Sequence, residues 1–192
     1  MLFATPLLLL VTLPAHADGA VRQTADVVGQ GEAGPVVSAG GASAIRTANG
    51  ITVALKMPTP TPFTYNYPPP NAFQSTVLMG APEVFTGWVF IFNNPDLCTD
   101  PCNGDDVGTT TPARGGVYNF AGHISGGGTL RMAGHVSFGE APFGGSPLEN
   151  PLGAVIHLAV APHGTLQSDL LPTQINTPIG SPPLWWLAFL NP

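Results

Sequence analysis

Residues 115–138, GGVYNFAGHISGGGTLRMAGHVSF, decide what kind of fold this chain can form. Ahead of Gly126-Gly127-Gly128, Tyr118, Phe120 and Ile124 alternate with Asn119, Ala121 and His123. Beyond it, Leu130, Met132, Val136 and Phe138 alternate with Arg131, Ala133, His135 and Ser137. Period-two alternation marks a strand with one dry and one wet face, so the stretch reads as a β-hairpin folded at the glycine run. Directly opposed residues share a face, and the apolar sets therefore fix the parity of the register. A three-residue loop with Ser125 opposite Thr129 satisfies it. His123 is then expected to face Arg131, and Asn119 to face His135, giving a polar hairpin face of Asn119, His123, Arg131 and His135. A cation beside His123 disfavours both a protonated imidazole and a bound metal there.

The rest of the chain agrees with a β fold. Twenty-four glycines and 22 prolines in 192 residues leave few windows for a long helix. Charged residues make up only 8 % and apolar ones 44 %, a balance that argues against wholesale disorder. The five basic residues are scattered over Arg22, Lys56, Arg46, Arg114 and Arg131, and the formal charge is −6. Without a basic patch to neutralise phosphates, nucleic-acid binding is excluded.

Residues 1–17 read as a secretory signal peptide. An apolar run over 2–13 is followed by Pro14-Ala15-His16-Ala17, a small-x-small cleavage pattern. No Lys or Arg precedes Arg22, so either the start lies upstream or the signal is atypical. The run is shorter than the roughly 20 residues a membrane helix needs. A secreted, extracellular or periplasmic location follows, with no transmembrane segment in the mature chain. Residues 18–49, small and glycine-rich, read as a flexible lead-in with at most weak edge strands at Val27-Val28 and Val36-Val37. Residues 50–192 are the expected β-domain.

Within that domain 51–57 is a strand, with Ile51, Val53, Leu55 and Met57 on one face. Residues 58–70, PTPTPFTYNYPPP, interrupt regular pairing because proline lacks the ladder donor. Phe63, Tyr65 and Tyr67 alternate along this crossing, as a packed lid or a recognition surface. Strands are expected at 73–79 and 85–92, the latter (FTGWVFIF) apolar on both faces and so central. Others are expected at 154–161, stopped by Pro162, and at 184–190. Seven to nine short antiparallel strands with long Pro/Gly-rich loops suit a single-domain β-sandwich or open barrel. A membrane barrel needs uninterrupted strands of about nine to eleven residues, against which the prolines argue.

Three groups could carry chemistry. Cys98 and Cys102 in CTDPC read as a disulfide in an exported chain, and so small a loop contributes only about 2 kcal/mol. Asp96, Asp100, Asp105 and Asp106, with nearby asparagines, form an oxygen-rich loop that either coordinates calcium or simply makes turns. His123, His135, His157 and His163 could hold zinc or copper if their strands converge, although no H-x-H or HExxH spacing occurs. No nucleophile elbow, phosphate loop or paired-carboxylate spacing among Glu83, Glu140, Glu149 and Asp169 is present.

Two patches resemble the CHRD domain, a β-rich extracellular module of chordin and of bacterial secreted proteins. One is LMGAPEVFTG at 78–87, similar to the L-x-G-x-x-E-V segment of that family. The other is GAVIHLAVAPHG at 153–164, similar to its later apolar strand, with one histidine where the family has an H-I-H pair. The combination FNNPDLC, GAVIHLAV and HG also looks similar to uncharacterised secreted bacterial β-proteins. Neither resemblance implies a catalytic activity. The sequence therefore points to a non-catalytic extracellular module that binds an unknown extracellular protein or surface ligand, or plays a structural role. The rival reading is a histidine-based metal protein or metal-dependent enzyme.

Overall fold

The computed structural model describes residues 19–71, 73 and 75–192; the expected signal peptide lies outside them. The described chain is all-β. Its strands are β1 (Val21–Gln30), β2 (Val36–Thr47), β3 (Gly50–Pro58), β4 (Glu83–Phe92), β5 (Gly115–Ile124), β6 (Thr129–Ser137), β7 (Gly144–Gly145), β8 (Val155–Thr165) and β9 (Trp186–Leu190). All pair antiparallel in one sheet, in the order β6-β3-β2-β1-β9-β8-β4-β5-β7. The sheet curls into a half-barrel, so the open barrel and not the sandwich is the architecture. A six-residue helix, α1 (Leu171–Asn176), lies in the connection between β8 and β9.

The hairpin expectation is corrected. β5 pairs with β4, placing His123 opposite Phe85 and Asn119 opposite Trp88. β6 pairs with β3, placing Arg131 opposite Lys56 and His135 opposite Thr52. Alternation fixes which face a residue takes but not which strand lies beside it, and the loop at Gly126 releases the two arms to different neighbours. They end near opposite ends of the strand order and approach again only because the sheet curls. At that seam a Cβ on Gly134 would lie 2.5 Å from the Phe120 carbonyl oxygen, while the Phe120 ring and Met132 sulfur converge over Gly87. Side-chain packing closes the gap where ladder bonds would be expected.

Residues 18–49 were expected to be a lead-in; instead β1 and β2 are interior strands, Asp18 alone of that stretch lying outside the described residues. β2 buries Ala42, Ala44 and Arg46 at alternate positions. Arg46 is fully buried, with Nε donating to Gln23 Oε1 (2.6 Å), Nη1 to the Ala154 and Pro151 carbonyls (2.6 and 3.2 Å) and Nη2 to the Leu190 carbonyl (3.2 Å). Among the described residues no carboxylate pairs with it, and desolvation pulls its pKa down to about 10. It ties β1, β2, the turn before β8 and the end of β9 together.

Expectation and structure agree over β3, where Ile51, Val53, Leu55 and Met57 are buried. They agree over β4, which is buried on both faces. No strand forms among the described residues of 73–79. β8 does not stop at Pro162 but continues to Thr165, with Pro162 opposite Phe85 beside a register shift. β9 has already ended there, its last partner being Val160, so the missing proline N–H leaves no neighbour unpaired on that side.

The concave face holds the main core: Ile51, Val53, Leu55, Phe85, Val89, Ile91, Leu130, Ile156, Leu158 and Trp186 among others. The proline-rich crossing is strapped over it. Tyr65 and Tyr67 each donate a hydroxyl to the buried Glu83 carboxylate, at 2.5 Å to Oε2 and Oε1. Tyr65 also packs edge-on to Trp186 at 4.9 Å. Burial, then the bonds to Glu83, raise both phenols, Tyr67 to about 12. The two tyrosines are thus a packed lid, while Phe63 stays exposed.

Candidate functional site

The convex side of β4, β8 and β9 is as apolar as the concave one. The pleat sends Val89, Ile91, Ile156, Leu158, Ala188 and Leu190 to the core and leaves every intervening residue facing out. Those residues are Trp88, Phe90 and Phe92 on β4, Val155, His157 and Ala159 on β8, and Leu187 and Phe189 on β9. Register brings Phe90, His157 and Phe189 into one row across the three strands, with Trp88, Ala159 and Leu187 as the next row. Where an ordinary sheet would show a polar face, this one carries a bank of rings.

Three segments wall the bank into a groove. On one side stands the disulfide loop, Cys98 to Cys102, whose Cα atoms are 4.9 Å apart. On the other, the turn between β1 and β2 brings Glu32, and the segment before β9 brings Pro182 and Trp185. Together they enclose a cavity of about 130 Å³. Trp185 is fixed by its Nε1 donating to the Ile179 carbonyl at 2.9 Å, and its ring centre lies 6.0 Å from that of Phe90.

His157 sits on the groove floor. Its ring is edge-on to Phe92 at 5.1 Å and to Phe189 at 4.7 Å. Desolvation drops its pKa to about 4, so it is neutral at pH 7. Among the described residues no side chain or backbone group hydrogen-bonds either ring nitrogen, which leaves one donor and one acceptor for a guest. Such a site, mostly aromatic with one or two polar groups, is built to hold a small molecule or side chain.

The disulfide loop is held in shape by Asp106. The Asp106 carboxylate accepts from the Thr99 N–H (2.9 Å), the Thr99 hydroxyl (2.8 Å) and the Asn103 N–H (2.9 Å). Burial opposes its ionisation, but these bonds outweigh that and hold its pKa below the usual carboxylate range. Asn103 Oδ1 in turn accepts from Asp105 N–H at 2.8 Å. Among the described residues Asp96, Asp100, Asp105 and Asp106 are not brought together as a set of metal ligands, and the buried one, Asp106, is engaged by the turn itself. Asp96 and Asp100 instead border a shallow depression that shares Cys102 and His157 with the groove.

The histidine expectation is corrected too. Among the described residues no three His, Cys, Asp or Glu side chains come together as metal ligands. His135 is exposed and pairs its Nδ1 with the Thr52 hydroxyl at 2.9 Å, on β6. His123 lies on β5, His157 on the convex face of β8. His163, further along β8, is fully buried, and among the described residues neither ring nitrogen completes a hydrogen bond. Burial lowers its pKa to about 4, and only the Phe73 backbone pulls the other way, through a contact short of a full bond. The polar hairpin face is likewise dispersed: Asn119 donates to the Ile175 carbonyl at 2.7 Å and anchors α1, and Arg131 lies beside Lys56.

Among the described residues no helix is long and apolar enough to cross a membrane. No family model, curated protein or solved structure matches the chain, and the likeness to CHRD domains rests on its two short motifs.

Proposed function

We propose that this chain is an exported, non-catalytic binding module of the extracellular or periplasmic space, and that its ligand sits in the convex groove. The observation that carries the reading is the row of Phe90, His157 and Phe189, a half-buried aromatic row with an unbonded imidazole, set among neighbours that are fully buried. A cavity of about 130 Å³ is close to the ~150 Å³ that accommodates a benzene-sized guest. The disulfide supports an oxidising location. The second CHRD-like motif forms β8 and so supplies His157, which is consistent with an extracellular module of that kind.

The test is an NMR titration with benzyl alcohol, a neutral probe of suitable size. Shifts should concentrate on the amides of Phe90, His157 and Phe189 and on the Trp185 indole. A rival depression lies at the barrel mouth beside Tyr65, Pro35 and Trp186. Shifts confined to that mouth, or none at all, would refute the assignment.

A further inference from the structure

The groove has an electrostatic sign as well as a shape. Glu32 is the charged residue on its lining, and Asp96 and Asp100 border the depression beside it. Neither lining contains a Lys or Arg. Among the described residues the Glu32 carboxylate has no ion-pair partner; the ion pair present joins Arg114 and Glu149 elsewhere. The chain as a whole carries −6. Carboxylates at the rim and ring faces within make a site that repels anions and gives a neutral guest no special preference. A cation gains from both.

We infer that the groove takes a small, free quaternary-ammonium solute, its head seated among Phe90, Trp185 and Phe189 with Glu32 at the rim. This rests on the groove being the binding site, as proposed above. An aromatic ring attracts a cation held over its face within about 6 Å, and tryptophan is the strongest partner of this kind. A quaternary ammonium has no N–H to satisfy, which suits walls with few acceptors. A primary ammonium would give up three hydrogen bonds to water, which the Glu32 carboxylate at the rim and one His157 nitrogen replace only in part. Its methyl groups also bury apolar area against Leu187 and Pro182, which a metal ion could not do. His157 completes the site by staying uncharged: a protonated imidazole there would oppose the guest.

The experiment compares choline with its uncharged isostere, 3,3-dimethylbutan-1-ol, on the full chain, by calorimetry and by Trp185 fluorescence. Choline should bind about 10-fold more tightly than the alcohol. Glu32→Gln, at an exposed turn position, should weaken choline about 3-fold and leave the alcohol unchanged. Phe189→Leu keeps apolar bulk but removes a ring face; it should weaken choline about 5-fold and the alcohol little. Equal binding of choline and the alcohol would overturn the cation inference while leaving the groove reading intact. Absence of any effect at Trp185 from either compound or from benzyl alcohol would overturn both. Co-sedimentation with phosphatidylcholine vesicles without binding of free choline would replace the free solute by a membrane surface, and so overturn the inference as stated.

Discussion

Acidification between pH 7.5 and 5 should destabilise this fold, and two histidines should account for it. His163 is wholly enclosed and His157 partly so, and burial holds both pKa values near 4 against 6.5 for an ordinary imidazole. As pH falls through 6.5 the unfolded chain takes up a proton at each position, while the folded chain does not until about pH 4. A depressed histidine pKa therefore gives stability that is fully present above 6.5 and is lost as pH falls toward 4. Integrating from pH 7.5 to 5 gives a loss of about 2 kcal/mol for His163, and somewhat less for His157, which opens onto the groove. That is a large part of the roughly 5–15 kcal/mol that holds a typical domain together. Asp106 and Glu149 have pKa values lowered from 3.8 and 4.5, so their contributions are lost only at lower pH and leave this window to the imidazoles. The assay is reversible urea unfolding, followed by tryptophan fluorescence at half-unit pH steps. His163→Leu isolates the larger contribution, because an apolar side chain replaces a ring whose nitrogens have no partner. It should cost little at pH 7.5 and should remove about half of the pH dependence. Flat stability down to pH 5, or an undiminished slope in the leucine variant, would refute the reasoning.

Arg46→Met should lower stability by about 3 kcal/mol, since four acceptors lose their donor, and should speed amide exchange around Ala154 and Leu190; an unchanged urea midpoint would rule this out. Tyr65→Phe and Tyr67→Phe each remove a donor to the buried Glu83 carboxylate and should each cost about 2 kcal/mol, with faster proteolysis within 58–70; equal resistance of variant and wild type would count against the strap. Protein prepared without an affinity tag should carry no stoichiometric zinc, copper or calcium by elemental analysis, and one equivalent of any of them would reinstate a metal site.

How far the sequence could be read depends on the size of the side chains that do the alternating. In β3 and β4 the apolar residues are large, their burial follows directly, and both strands were legible to within a few positions. In β2 the buried positions are Ala42, Ala44 and Arg46. Two methyls and a charged group carry no hydrophobic signal, so interior strands looked like a glycine-rich leader. An arginine is ordinarily evidence for a wet face; here the carbonyls of three segments solvate it inside. Partner choice was illegible for a different reason. The hairpin at Gly126 obeys every local rule for pairing on itself, yet β4 takes one arm and β3 the other. Local patterning is silent on that competition.

The candidate site was half visible. FTGWVFIF was apolar on both faces, which indicated a central strand covered on each side. The structure covers the concave side with the main core and the convex side with two smaller buried clusters, around Trp88 and Phe92, which leave Phe90 half-buried. Within that octapeptide Trp88, Phe90 and Phe92 face out, while Phe85, Val89 and Ile91 face in, so the rings gather on the outer face only beyond the register shift at Gly87. LWWLAFL repeats the sorting only in part, since Trp185 and Phe189 face out but Trp186 faces in. Register alone then brings Phe189 beside His157 and Phe90, a juxtaposition of residues nearly a hundred positions apart that no spacing rule could reveal. The histidine that seemed a metal ligand in sequence is thus surrounded by hydrocarbon instead of by other ligands. The same desolvation that makes it a poor base leaves it a neutral polar handle in an aromatic site.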